Sequence, residues 1–269
     1  MPEGDTIHRA AQTLHAALAG KVVTKFETRL AQLARVDDET PVAGRTIERV
    51  VAAGKNLIID FSGALHLRTH MRMNGSWHIY RPGEAWRKSR AHMRLLIETA
   101  EWVAVAFNVP VAEFHDDRSL ARQNDLRLIG PDLLGATFDA DEAKRRIRAR
   151  PQEEIANVIL NQRVVAGIGN EYKSEVLFVT RINPFALVAN VSDEQLDELL
   201  TRSRKIMQAN VGSRVTTRHT TGSLDLDESL FVYGRGNQPC RRCGTRILYR
   251  KQGRDARGTY WCPKCQPAP

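Results

Sequence analysis

Gly130-Pro131-Asp132-Leu133-Leu134 is the stretch across which the chain changes character. Before it the texture is β, from Val22 to Phe107. Ile47 to Ala52 alternates, Leu57 to Phe61 reads as a buried strand, and Ser62-Gly63 is a turn. Leu65, Leu67, Thr69 and Met71 then alternate with polar residues, and Met93 to Glu98 pairs with Trp102 to Phe107 around Thr99-Ala100-Glu101. Short strands separated by turns predict a sandwich or barrel. A helix leads this region: Thr6 can cap it, Ile7, Ala11, Leu14 and Leu18 share a face, and Gly20 can end it.

Beyond the dividing stretch the periodicity is helical. Asp141 to Arg150 and Gln152 to Asn161 read as helices, a third begins at Asn170, and a fourth at Ser192 with Gln195 in capping-box spacing. Residues 212–225, rich in Gly, Thr and Ser, read as a mobile loop. The fold predicted is α+β and multidomain. An N-terminal β-sandwich with a leading helix spans 1–130, a helical domain 131–230 and a four-Cys zinc-finger β-hairpin 231–269.

The four cysteines carry that last expectation. Cys240, Cys243, Cys262 and Cys265 are the only cysteines and are spaced C-x2-C-x18-C-x2-C. Two close pairs bring four thiolates around one tetrahedral Zn²⁺, and four thiolates leave no open position, so the metal is structural. Pro239-Cys240 and Cys262-Pro263 fit tight knuckles at the ends of a hairpin. Between them stand Arg246, Arg250, Lys251, Arg254 and Arg257, interleaved with Tyr249, Tyr260 and Trp261. A metal-pinned basic hairpin suits a nucleic-acid backbone.

Charge points the same way. The net charge is +9, and residues 201–269 hold 14 Lys and Arg against 4 Asp and Glu, while the first 200 hold 26 against 27. The whole surplus therefore lies in the last quarter, which attracts polyanions. With 42% hydrophobic residues the composition excludes wholesale disorder. No apolar run approaches a membrane span, and Glu3 and Asp5 stand where a secretory signal would be basic. The expectation is a cytosolic, soluble protein.

Pro2-Glu3-Gly4-Asp5 follows the initiator Met. Removal of Met1 would give Pro2 a free secondary amine, which attacks a sugar C1′ to form an iminium, an electron sink. An α-amino group has a pKa of about 7.7–8.0 against roughly 10.4 for Lys, so more of it is neutral at pH 7. Glu3 beside it can shuttle the proton.

These motifs occur in a fixed order: Pro2-Glu3-Gly4, the Gly54-Lys55 turn, Gly130 to Leu134, Val165-Ala166-Gly167-Ile168-Gly169-Asn170-Glu171-Tyr172, and the terminal four-Cys finger. Each is weak alone. Together the chain resembles the Fpg/Nei family of DNA glycosylase/AP lyases over essentially its whole length. The resemblance implies a β-sandwich, a helix-two-turns-helix domain and a zinc finger. It implies damaged double-stranded DNA as partner, one structural Zn²⁺, and no catalytic metal or organic cofactor. A monomer and a cytoplasmic, nucleoid-associated protein are the default expectations.

By position, the resemblance makes Pro2 the Schiff-base nucleophile, Glu3 the acid/base and Lys55 the lysine of β-elimination and phosphate contact. Asn170 would hold a backbone phosphate with the free N–H groups of a helix start. Arg257 would grip the phosphates flanking the lesion and serve δ-elimination, with Arg254 its competitor if the hairpin slips in register. Arg72 and Arg127 match DNA contacts, and Met73 matches a wedge that fills the hole left by a flipped base.

The chain resembles the endonuclease VIII (Nei) branch most. Fpg-type enzymes carry an Asp-Pro-Arg-Arg-Phe-Gly loop after residue 100, where this sequence reads Phe107-Asn108-Val109-Pro110-Val111-Ala112-Glu113-Phe114. The start Pro-Glu-Gly also resembles Nei more than Fpg. The branch implies oxidised pyrimidines as substrates. An Fpg-like glycosylase for oxidised purines, a damage-binding protein without catalysis and a zinc-ribbon RNA-binding protein are the alternatives.

Overall fold

The structure is a computed structural model that describes residues 2–213, 217–223 and 225–268. It divides into two compact units, Met1–Leu128 and Ile129–Pro269.

The first unit opens with helix α1, Gly4–Leu18. Ile7, Ala11, Leu14 and Leu18 are its buried stripe. The helix starts earlier than Thr6, with Glu3 as N-cap and no side-chain cap bond. Thr6 is not the cap: its hydroxyl donates to the Asp5 carboxylate instead. Gly20, with φ +77°, takes the chain out of the helix through a left-handed turn. Then follow β1 (Lys25–Thr28), α2 (Ala31–Glu39), β2 (Ile47–Ala53), β3 (Asn56–Phe61), β4 (Leu65–His70), β5 (Ser76–Tyr80), β6 (Met93–Glu98), β7 (Val103–Phe107) and β8 (Val111–His115). Two short helices, α3 (Asp117–Arg122) and α4 (Asn124–Arg127), close the unit.

The strands form two antiparallel four-stranded sheets, ordered β2-β3-β4-β8 and β1-β6-β7-β5. Leu57, Ile59, Phe61 and Leu67 from one sheet share a core with Leu95, Ile97, Ala104 and Ala106 from the other. α1 contributes Ile7, Leu14 and Leu18 to the same core. Helix α2 lies inside the stretch expected to be β throughout. Its sequence buries only Leu33 and lacks a Ser, Thr, Asp or Asn cap, so no local signal marks it.

Two strands depart from simple alternation. β2 exposes both Glu48 and Arg49 because its pairing with β3 slips between Ile47 and Arg49. In β4 the polar face is buried as well as the apolar one. Arg68, 3% exposed, is held by Asn56 at 3.0 Å, Glu113 at 2.8 Å and Asp125 at 2.9 Å. His66 sits between Asp60 at 2.6 Å and Asp117 at 2.9 Å, and Asp60 also takes a hydrogen bond from Arg49. Carboxylates from β3, β8, α3 and α4 thus satisfy groups that would otherwise need water.

In the second unit, α5 (Ala140–Arg148), α6 (Ile155–Leu160), α7 (Asn170–Val179) and α8 (Asp193–Gly212) surround a core that includes Val158, Ile159, Tyr172, Leu177 and Leu199. α6 begins at Ile155 rather than Gln152, because the preceding residues form turns. α8 carries the expected capping box between Ser192 and Gln195. Residues 161–169 form the two turns between α6 and α7, giving the helix-two-turns-helix motif. Gln162 braces them, donating to the carbonyls of Leu160 and Ile168 and accepting from Gly167 N. The dividing stretch packs here too. A β-carbon on Gly130 would come within 2.5 Å of the Val164 carbonyl oxygen, so only glycine lets these backbones meet.

Of the loop expected over 212–225, residues 214–216 and 224 lie outside the described residues. His219 N donates to Asn210 Oδ1 at 2.8 Å, and Thr220 Oγ1 donates to the Glu175 carboxylate. The chain ends in a hairpin of β9 (Leu248–Gln252) and β10 (Arg257–Trp261). No helix among the described residues is long and apolar enough to cross a membrane.

Candidate functional site

Pro2 is half-buried and Glu3 fully buried, in extended conformation at the N-terminal end of α1. The Glu3 carbonyl accepts the first helical bond, from Ile7 N. Glu3 therefore stands at the N-terminal, positive end of the helix dipole, where negative charge is favoured.

Lys55 occupies the second position of the two-residue turn between β2 and β3, after Gly54 with φ +57°. Glycine at the first position with positive φ is the requirement of a type II′ hairpin. The register pairs Asn56 with His70, which sets the end of β4 beside this turn. There the chain bends sharply. Arg72 has φ +50°, its N–H donates to His70 Nδ1 at 3.0 Å, and Gly75 N–H donates to the Met71 carbonyl at 2.9 Å. Burial first, then the charges of Arg72, Arg68 and Lys55, hold His70 down at about 4. The imidazole is thus neutral at pH 7 inside a cationic patch.

The bend exposes Met73, 56% accessible, while Met71 stays in the core. Strand periodicity would have put both on one face. Arg127 ends α4, exposed, with its guanidinium bonded to Asn124.

In the second unit Asn170 is the first residue of α7, and Gly169 rather than Asn170 is the N-cap. Asn170 Nδ2 donates to the Gly258 carbonyl at 2.9 Å, in β10, immediately after Arg257. Arg257 begins β10 with its side chain 46% exposed. Arg254 lies in the turn before it and is also exposed.

Reasoning from sequence missed three residues of α7. Lys173 and Ser174 are buried against β10. The Glu175 carboxylate accepts from the backbone N–H groups of Phe231, Val232 and Tyr233, each at 2.8 Å. No local signal marks them: Asn-Glu-Tyr-Lys-Ser-Glu reads as a solvated helix start, and the partners that bury it lie in β10 and at 231–233.

The four cysteine sulfurs lie within 4.8 Å of one another. Cys240 and Cys265 are 3.9 Å apart, and Cys243 and Cys262 3.5 Å. Zn–S bonds of about 2.3 Å around a tetrahedron give S–S edges of roughly 3.8 Å, so the donor set fits zinc. Burial pushes the Cys265 thiol up to about 12, while hydrogen bonds from Thr245 hold Cys243 at about 6. A divalent cation relieves that conflict by favouring every thiolate. Cys240 and Cys262 also pack with Phe178, Val232 and Ile247 in a small core of their own.

A β-sandwich, a helix-two-turns-helix motif and a zinc-binding hairpin, with a buried acidic residue directly after Pro2, define a zinc-finger DNA glycosylase/AP lyase. The chain belongs to the Fpg/Nei family. Residues 1–123 match the formamidopyrimidine-DNA glycosylase N-terminal domain, 129–221 its H2TH domain, and 237–268 the zinc finger found in FPG and IleRS. A Streptomyces coelicolor protein named probable endonuclease 8 2 is 40% identical, with 100% of this chain and 95% of that one covered. The DNA-(apurinic or apyrimidinic site) lyase Nei2 of Mycolicibacterium smegmatis is 36% identical over the full length of both. The fold is that of Lactococcus lactis Fpg in complex with DNA containing an abasic site: TM-score 0.82, 24% identity, 99% of this chain and 100% of that one.

Proposed function

We propose that this protein is a bifunctional base-excision repair enzyme of the endonuclease VIII type, acting as a cytoplasmic, nucleoid-associated monomer on damaged double-stranded DNA. It removes oxidised pyrimidines. Pro2, freed by loss of Met1, attacks C1′, and the base leaves as its glycosidic bond breaks, with proton transfer through Glu3. The C1′–O4′ bond then breaks, O4′ taking its proton through Glu3, and the iminium so formed acidifies C2′. Loss of that proton expels the 3′ phosphate, with Lys55 assisting, and a second elimination removes the sugar. Because the iminium is the electron sink, no catalytic metal is required. Met73 fills the hole left by the flipped nucleotide. Arg72, Arg127, Asn170 and Arg257 hold backbone phosphates, with Arg254 the competitor of Arg257 on the same hairpin.

The observation that carries this reading is the burial of Glu3 directly after Pro2. An amine released there would stand one peptide from a sequestered carboxylate. The pyrimidine preference draws support from the β7–β8 connection. It is only Asn108, Val109 and Pro110, with Val109 fully buried, so it offers no loop to carry an Arg and a Phe into the duplex.

Borohydride trapping on duplexes bearing thymine glycol, 8-oxoguanine or an abasic site tests it. A covalent band on thymine glycol that disappears in Pro2→Gly is the expected result. A band mainly on 8-oxoguanine makes the enzyme Fpg-like in substrate choice. Binding with no band even on the abasic duplex makes it a damage-recognition protein without catalysis.

A further inference from the structure

Among the described residues strand β10 pairs with β9 alone, so its other edge carries backbone groups that no described strand satisfies. Helix α7 supplies side chains to that edge. Asn170, Lys173 and Ser174 stand at i, i+3 and i+4 and therefore share a helix face. Asn170 Nδ2 donates to the Gly258 carbonyl at 2.9 Å. Lys173 Nζ reaches the same carbonyl at 3.3 Å and donates to Thr259 Oγ1 at 2.7 Å. Tyr260 N donates to Ser174 Oγ at 3.4 Å. Three consecutive residues of β10 are thus gripped from one helix face.

The lysine is the unexpected member, because it is 1% exposed. An ammonium group withdrawn from water is costly unless hydrogen bonds and a counter-charge compensate it. Part of that compensation runs through the hairpin. Thr259 Oγ1 donates onward to Gln252 Oε1 at 2.7 Å. Gln252 Nε2 donates to the Glu154 carboxylate at 2.7 Å and to the Pro184 carbonyl at 3.0 Å. A one-residue slip of β10 would move Thr259 to the opposite face and break this chain, so the buried ammonium selects the register. The other side of the strand is closed by Tyr249. A β-carbon on Gly258 would fall 2.8 Å from its ring. The peptide after Arg257 is therefore fixed on both sides while the arginine side chain remains exposed.

We infer that Lys173 is a positioning residue for Arg257: by bonding Gly258 and Thr259 it sets where the guanidinium stands when the hairpin meets a phosphate. This rests on the reading of Arg257 as a phosphate-gripping residue. Lys173 acts through the strand and has no contact with the substrate to make.

The test is single-turnover elimination on a duplex with a preformed abasic site, using the full-length zinc-loaded protein. Arg257→Ala is compared with wild type first. Lys173→Met is then measured in both the wild-type and the Arg257→Ala backgrounds, with zinc content followed throughout. Lys173→Met should slow elimination on the order of 100-fold, as displacement of a working group by about 1 Å does. In the Arg257→Ala background it should change the rate by less than about twofold. Lys173→Arg, which keeps a charged donor, should recover part of the rate. Thr259→Val removes the other end of the same bond and gives the same comparison if Lys173→Met does not fold. Unchanged elimination in Lys173→Met, or an equal loss in both backgrounds, overturns the inference. If Arg257→Ala itself has no effect, the role of Arg257 is wrong and the inference falls with it, which the first comparison alone reveals.

Discussion

Met71 and Met73 are two residues apart and end in opposite environments, 1% and 56% exposed. The left-handed turn at Arg72 separates them. Met71→Ala should cost about 2–5 kcal/mol, the usual loss for a buried methionine. Met73→Ala should stay within roughly 0.5 kcal/mol of wild type while slowing excision from damaged duplex. Urea denaturation beside single-turnover excision separates the two. A Met73→Ala variant with normal excision would remove the wedge role.

His70 makes stability fall in mild acid. Its folded value of about 4 lies below the ordinary 6.5. As pH drops from 6.5 to 4, the unfolded chain takes up a proton that the folded chain refuses, so unfolding is favoured over that window. The loss contributed by this one group is on the order of 3 kcal/mol across the window. His70→Asn, which can still accept from Arg72 N, should flatten the pH dependence of Tm between pH 4 and 6.5.

His66 has the opposite sign. Burial pulls its pKa down, but hydrogen bonds to Asp60 and Asp117 outweigh that and leave it raised. Its contribution is complete below pH 6.5 and disappears as pH rises through the folded value. His66→Gln should therefore lose more stability at pH 6 than at pH 8.5, measured by thermal melts at both.

Glu175→Gln should destabilise the protein although it is nearly isosteric. Oε1 accepts from Val232 and Tyr233, and Oε2 from Phe231 and Thr220. An amide nitrogen can replace neither acceptor, and each buried N–H left unsatisfied costs about 1–3 kcal/mol. Amide exchange should rise first at residues 231–233. Exchange that stays at wild-type rates there would contradict the clamp.

Chelation of zinc, or Cys262→Ala, should unpin the hairpin and lower affinity for duplex DNA together, because metal binding and local folding are linked. Zinc content, circular dichroism and a salt titration of DNA binding report on the three parts. Full affinity without zinc would disconnect the finger from DNA.

Local signals were the legible ones. The β6–β7 pair, the Ser192–Gln195 cap and the four cysteines are each written within a short window of sequence, and each is present in the fold. What stayed hidden depends on distant partners. Nothing near Arg68 announces that Glu113 and Asp125 will enclose it. Lys173 reads as a solvated lysine until β10 arrives from 86 residues away. The position of Met73 hinges on one positive φ at a non-glycine residue, which composition does not reveal. α1 begins earlier than its Thr6 signal because Glu3 is extended and buried, an arrangement imposed by packing rather than by capping preference.

A β-carbon on Gly75 would fall 2.5 Å from the Met71 carbonyl oxygen, so the base of that turn admits glycine alone. The tip, in contrast, is exposed at both Met73 and Asn74. The turn therefore behaves as a socket with an interchangeable bit. Side chains of other sizes could be grafted at 73 and 74 with the scaffold unaltered, and under the proposed wedge role they would retune which gap in a duplex is filled, whereas any graft that includes 75 would rebuild the mount itself.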